Sequence, residues 1–387
     1  AFAMKILVNL GDLEDASRLV PIVSAHISGV SYHTAGEALI RLLEELTGMS
    51  ATVSVPTSLN PAGMDLALWK DIGFPDDFAE KQLRIIDLYS KLGIDLTCSC
   101  IPYEIPRRVQ AIGMGDHLAW SESNAVIYAN SMVGARTNRE SGISALAAAI
   151  LGKTPLWGMH LDGPRMPTLE VKMEGTMEAH HYDLLGVYIG SDHNSDVVVF
   201  KGMPPDADTG SIKHLGAAMA AKGGHAIFHV DGITPEQDLV KRAREARTIE
   251  EKLTLTTREL ERRKDELYPP PGDGIDTFVL GCPHFDLSEF QRLKGLLSGR
   301  KLRKGKRLII FTSRSIIELL DRQIFRSLVG SGVEIYADTC MVVAPLRSIG
   351  IDSVGTDSGK AAHYIPRMSG VETRLLPLDM IIELCVD

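Results

Sequence analysis

Short apolar runs closed by turn residues recur along this chain, and most are followed by a stretch of helical periodicity. The pattern is clearest in the last third. Phe278-Val279-Leu280-Gly281 ends in Cys282-Pro283-His284, Arg307-Leu308-Ile309-Ile310-Phe311 in Thr312-Ser313-Arg314, and Val333-Glu334-Ile335-Tyr336-Ala337 in Asp338-Thr339-Cys340. A further run, Ile351-Asp352-Ser353-Val354-Gly355, ends in Thr356-Asp357-Ser358-Gly359-Lys360. Such βα units pair in parallel because each crossover helix returns the chain to the same end of the sheet. Their terminal residues therefore collect at the carboxyl edge, where open α/β sheets bind ligands.

Upstream, Thr34 and Glu37 predict a capping box for a helix whose Leu39, Leu42, Leu43 and Leu46 share one face. A helix is expected from about Asp77 to Lys91, and an Ala-rich one up to Leu151. Strands are predicted at 51–55, at 93–98 and in four short runs, Leu169–Lys172, Leu184–Ile189, Val197–Phe200 and Ala226–Val230. Residues 234–268 predict one long charged helical stretch. Asp286 and Glu289 predict a second cap. Pro269-Pro270-Pro271-Gly272-Asp273-Gly274 is the hardest break in the pattern. The expectation is a multi-domain α/β protein, with an N-terminal region 1–270, itself divided at about 150, and a C-terminal α/β domain 271–387.

The 387 residues carry a net charge of −9 and no basic stripe with interleaved aromatics, which argues against nucleic acid as a partner. No apolar stretch approaches the eighteen or so residues a bilayer span needs, and no leader pattern opens the chain, so no membrane role and a cytoplasmic location are expected. Ala1 is not preceded by an initiator, so a few native residues are expected to be missing or replaced. Five scattered cysteines, Cys98, Cys100, Cys282, Cys340 and Cys385, do not form a disulfide framework. Metal ligands, a nucleophile or inert core thiols remain open.

Several clusters bear chemistry. Ser28 and Ser31 lie in a polar stretch before a helix start, where free backbone N–H groups suit an anion; a hydrogen-bonded loop fits equally. Asn60 and Asp65 sit in a proline-bounded loop that turn chemistry also explains. Of Cys98 and Cys100, the latter directly precedes Ile101-Pro102-Tyr103 and is the better ligand candidate. Arg136, between small residues, suits carboxylate or phosphate through its planar fork, whereas Arg139 reads as a surface charge. Ser358 and Lys360 supply a hydroxyl and an ammonium to the carboxyl edge. His180-His181 and neighbouring histidines show no ligand spacing, and neither a Walker loop, a Gly-x-Ser-x-Gly elbow nor a dinucleotide fingerprint is present. Three far-separated thiols at run ends meet the requirement for an iron–sulfur cluster with one open iron, against the alternative of buried core thiols.

Taken together, Ser28-Gly29-Val30-Ser31-Tyr32, Asn60–Asp65, Cys98–Tyr103, Glu122-Ser123-Asn124-Ala125, Asn130-Ser131 with Gly134–Asn138, Gly281–His284, Asp338-Thr339-Cys340 and Ser358-Gly359-Lys360 resemble the aconitase X family over nearly the whole chain. The resemblance implies an aconitase-like fold and a dehydratase (hydro-lyase) large subunit acting on a small phosphorylated hydroxy acid, mevalonate 5-phosphate, to give trans-anhydromevalonate 5-phosphate. It further implies a 4Fe-4S cluster, or a 3Fe-4S form as isolated, held by Cys100, Cys282 and Cys340. Substrate contacts are implied at Ser28, Ser31, Asn60, Asp65, Arg136, Ser358 and Lys360. Single-chain relatives carry an additional swivelling domain, for which no stretch is left here, so a separate small subunit is the implied partner and the source of the serine base; no catalytic base is assigned in this chain. Two alternatives stay open. One is cis-3-hydroxy-L-proline or another hydroxy acid as substrate, and the other is a non-enzymatic binding subunit whose cysteines are merely buried.

Overall fold

The computed structural model describes residues 1–104, 112–267 and 274–387. Three parallel sheets and one short antiparallel pair organise them. The first sheet has Ser24–Ile27 at its centre, flanked by Thr57–Leu59 and Leu118–Trp120. The second runs Phe228–Val230, Val198–Lys201, Leu169–Glu174, Glu251–Thr256. The third, five strands wide, runs Glu334–Ala337, Arg307–Thr312, Thr277–Leu280, Ser353–Thr356, Glu372–Leu375. Its chain order reverses beside Thr277–Leu280, because the second and third strands lie on one side and the fourth and fifth on the other. At such a switch point the crossover helices leave on opposite faces and open a crevice beyond the strand carboxyl ends. Cys282 and the Ser358–Lys360 segment follow the two strands that border it.

Apolar side chains of the third sheet fill both its faces. Phe278, Leu280, Leu308 and Ile310 pack to one side with Phe290, Leu293 and Leu297 of the helix Leu287–Leu297. Val279, Ile309 and Phe311 pack to the other with Val354 and Ile365. Burial on both faces is why these strands read as continuous apolar runs.

The structure departs from the pattern in several places. Residues 51–55 and 93–98 form no strand; the strand here is Thr57–Leu59, with a single bridge from Asp95 to Ser58. Leu184–Ile189 lies inside the helix Ala179–Asp192. The charged stretch after 234 is not one helix but Gln237–Ala246, the edge strand Glu251–Thr256 and Thr257–Leu267. The helix expected to be capped by Thr34 starts earlier, at Tyr32, with Ser31 as N-cap accepting from His33 N. The Asp286 and Glu289 capping box is present. Apart from Gly274, the proline-rich break lies outside the described residues. Among the described residues no helix is long and apolar enough to cross a membrane.

Candidate functional site

The carboxyl edges of the first and third sheets face each other. Each strand of the first sheet ends in a polar residue at this edge: Ser28 after the central strand, Asn60 after Thr57–Leu59, and Ser121, Glu122 and Ser123 after Leu118–Trp120. The third sheet brings Cys282, Cys340 and Lys360. The two units are joined by a bridge between Ala62 and Thr339, by Ser31 Oγ donating to Val343 O at 2.7 Å, and by Arg314 bridging Asp65 and Asp338.

Between these edges lies a cavity of about 190 Å³ whose lining includes Ser28, Asn60, Cys100, Glu122, Cys340 and Lys360. Cys100, Cys282 and Cys340 are all buried. Cys282 and Cys340 lie side by side and act on each other, which raises the pKa of the first and lowers that of the second. Val342 N also donates to Cys340 Sγ at 3.4 Å, and His284 N donates to Cys100 Sγ at 3.2 Å. Burial pushes the Cys100 thiol up. The ammonium of Lys360 acts on Cys100, Cys282 and Cys340, favouring their thiolates. Three thiols from three segments, two of them accepting backbone N–H bonds and all beside one cation, form a donor set suited to an iron–sulfur cluster, which binds through thiolates.

Gly281 makes this loop possible. Its φ is +95°, and a Cβ there would stand 2.1 Å from Phe311 O, so no larger residue can precede Cys282 in this geometry.

Lys360 opens the helix Gly359–Ser369 behind its N-cap Ser358. It donates to Glu122 and, at 2.5 Å, to Asn124 Oδ1. Asn60 Nδ2 donates to the other Glu122 oxygen at 2.7 Å. Burial works to raise the Glu122 pKa, but the charge of Lys360 and these hydrogen bonds prevail and hold it at about 2. Burial works against the charge on Lys360, yet Glu122 raises its pKa well above the ordinary range. His26, bonded to Ser58 and Asn60 behind this pair, is kept neutral by burial, with a pKa of about 4.

Several expected contacts lie elsewhere. Arg136 does not reach the cavity: it donates to His160 O at 3.0 Å and pairs with Asp162 at 2.6 Å. The cation at the cavity mouth is instead Arg139, expected to be a surface charge. The two sit three residues apart in non-helical chain, so their directions depend on the loop path and not on spacing. Asp65 accepts from Ala67 N, Leu68 N, Ala337 N and Arg314 and serves the junction. Ser31 caps a helix, and Ser358 donates to Cys282 O and caps its own. Cys98 packs in the first-sheet core and Cys385 in the third. Glu122, Ser121, Ser123 and Tyr364 were not singled out as contacts; for Ser121, Glu122 and Ser123 the available signal is their place after the apolar run Leu118–Trp120.

Two histidine groups bring ligand-type atoms within 4.8 Å of one another. In His180, His181 and Glu261, His181 Nδ1 accepts from Glu178 N at 2.9 Å. Its proton therefore sits on Nε2, facing Glu261 at 3.3 Å, and no lone pair is offered there. In the other, Glu251 is exposed and His193 lies 3.7 Å from Asp196. A larger cavity of about 660 Å³ between Asp183, His214 and Glu289 contains none of the thiols.

Family models of the aconitase X first, second and third domains match residues 1–163, 167–265 and 275–387. The chain is 42% identical over 378 residues to the phosphomevalonate dehydratase large subunit of Methanothermobacter thermautotrophicus, covering 96% of this chain and 90% of that one. It is 32% identical to the cis-3-hydroxy-L-proline dehydratase of Pseudomonas aeruginosa, covering 99% of this chain and 66% of that one. The crystal structure of Thermococcus kodakaraensis aconitase X in its holo-form superposes with a TM-score of 0.88 at 39% identity, covering 99% of this chain and 94% of that one. From the three thiols and facing sheet edges to these full-length matches, the observations agree that the chain belongs to the aconitase X family.

Proposed function

We propose that this chain is the large subunit of a phosphomevalonate dehydratase, a hydro-lyase that removes water from mevalonate 5-phosphate to give trans-anhydromevalonate 5-phosphate. The observation that carries this reading is the convergence of Cys100, Cys340 and Lys360 on one cavity, with Cys282 beside Cys340 behind its wall, in a chain most of whose length matches dehydratase large subunits. The three cysteines would hold an iron–sulfur cluster. When bound, such a cluster supplies a Lewis-acidic iron for a leaving hydroxyl.

The chain's own groups bind and orient. Lys360, locked by Glu122 and Asn124, keeps a full positive charge beside the thiolates and offsets their mutual repulsion. Ser28 and Asn60 line the cavity and offer a hydroxyl and an amide to the substrate. A base for the C2 proton is not assigned within this lining. Glu122, with a pKa of about 2, is too weak a base, and Lys360 is protonated. A small subunit carrying the swivelling domain and a serine base fits that gap and the large-subunit name of the relatives. A cytoplasmic location suits a protein whose site rests on reduced thiols.

The test is anaerobic reconstitution with the small subunit, followed by assays on mevalonate 5-phosphate and cis-3-hydroxy-L-proline. Brown protein that dehydrates the phosphorylated acid is the expected result. Turnover of hydroxyproline alone would shift the reading to that substrate, and colourless, inactive protein would leave a binding subunit.

A further inference from the structure

We infer that Arg139, braced by Tyr364, anchors the terminal phosphate of the substrate at the cavity mouth and thereby selects a phosphorylated acid over an unphosphorylated one. The inference rests on the dehydratase reading above.

Charge balance points to this residue. Among the groups lining the cavity the charged side chains are Glu122, Lys360 and Arg139. Glu122 and Lys360 neutralise each other in a buried pair, with Asn124 and Asn60 occupying further positions around it. Lys360 is thus committed before substrate arrives, and the uncompensated charge is the guanidinium of Arg139. Cys100 and Cys340 are buried while Arg139 and Met368 are exposed, so the cavity runs from thiols at its floor to this cation at its rim. A hydroxy acid gripped near the thiols would extend its other end toward Arg139.

The side chain is also held in place. Arg139 Nη1 donates to Ala220 O at 3.2 Å and Nη2 to the Tyr364 hydroxyl at 3.2 Å. These bonds use two of its five N–H donors and leave the others for an anion, for which the planar fork is suited. The surroundings reinforce the sign. Lys222, two residues beyond Ala220 at the end of the helix Thr209–Gly223, and Arg367, which donates to His363 O, both act on His363. Burial, joined by these two charges, lowers the His363 pKa to about 4, and the two cations themselves add positive charge beside Tyr364. Phosphate carries up to two negative charges and gains more from such a rim than a lone carboxylate does.

Arg139 also touches all three family-model segments, through its own position, Ala220 and Tyr364. A merely structural staple must therefore be separated from an anchor. The experiment compares wild type, Arg139→Ala and Arg139→Lys in the reconstituted two-subunit enzyme, with kcat, KM and melting temperature read for each and inorganic phosphate as the competing probe. The expected result for Arg139→Ala is a rise in KM for mevalonate 5-phosphate of roughly 10- to 100-fold, the loss of one charge-assisted anchor. kcat should change little, and competitive inhibition by phosphate should disappear. Arg139→Lys should melt as wild type does and recover part of the affinity. An unmoved KM in Arg139→Ala with normal wild-type turnover, or a fall in melting temperature and kcat alone, would overturn the anchor and leave the dehydratase reading standing. Wild type that turns over cis-3-hydroxy-L-proline and not mevalonate 5-phosphate would overturn both.

Discussion

Lys360, at the start of a helix in the last third of the chain, and Glu122, at the end of a strand in the first, form a buried ion pair across the two sheet edges, with side-chain exposures of 7% and 13%. Two isolated charges at this depth would be costly; paired, each sustains the other. Removing one partner leaves an uncompensated buried charge, at a cost of about 3–5 kcal/mol. Glu122→Gln and Lys360→Met are each expected to lower the melting temperature and abolish most dehydratase activity. A double-mutant cycle in thermal or chemical unfolding should show coupling of the two sites; strict additivity would contradict the pairing.

The thiols divide into a group of three, Cys100 and Cys340 on the cavity wall with Cys282 beside Cys340, and two that lie away from it in apolar cores. Cys100→Ser, Cys282→Ser and Cys340→Ser should each reduce iron and sulfide content and bleach the visible spectrum of anaerobically reconstituted protein. Cys98→Ser and Cys385→Ser should leave both intact. Retention of full iron by any of the first three would remove that residue from the ligand set.

Gly281 offers a backbone test of the same site. Gly281→Ala must place a side chain at φ +95° and 2.1 Å from Phe311 O. Left-handed strain alone costs about 1–3 kcal/mol, and the clash adds to it. The variant should unfold at lower denaturant and hold less iron, although the substituted residue offers no ligand atom of its own.

The second and third segments are joined by His214, which bonds to Asp183 at 2.9 Å and to Glu289 at 3.1 Å. Burial opposes its protonation, but Asp183 and Glu289 prevail and hold its pKa well above 6.5. A raised histidine contributes stability that is fully present below pH 6.5 and is lost as pH rises through the folded-state value. The stability gap between wild type and His214→Asn should therefore narrow in alkaline buffer, as measured by unfolding from pH 6 upward. A gap that widens would show that the histidine folds in its neutral form.

Arg165 is fully buried and bonded to Glu236, Asn130 and the Met159 carbonyl. Arg165→Met, which leaves buried Glu236 the Arg136 guanidinium at 3.8 Å in place of its bonded partner, is expected to destabilise by less than the about 3–5 kcal/mol of a fully unpaired buried charge, with little change in KM for the variant that still folds, read by chemical unfolding beside steady-state kinetics.

Much of this architecture was legible along the chain because its signals are local. The strands Thr277–Leu280, Arg307–Thr312 and Ser353–Thr356 are buried on both faces and so appear as apolar runs, and Asp286 with Glu289 announces a helix start within four residues. Where burial removes the local contrast, the pattern fails. The helix Ala179–Asp192 is so closely packed that a Cβ on Gly186 would stand 2.5 Å from Leu215 O. Buried nearly all round, it loses the 3.6-residue contrast between a covered and an open face, and its apolar Leu184–Ile189 section imitates a strand. The edge strand Glu251–Thr256 fails in the opposite sense, since its exposed charged residues imitate a solvated helix.

The sequence by itself therefore determined which residue types stand at the ends of the strands, among them Cys282, Cys340 and Lys360, because a strand end is marked by its own neighbours. Only the tertiary structure decided which of them meet. That Glu122 is the partner of Lys360, and that Arg139 rather than Arg136 reaches the cavity, depend on how two separate sheets set their carboxyl edges together. The contact energies responsible act between residues such as Ser31 and Val343, 312 positions apart, and no local period records them.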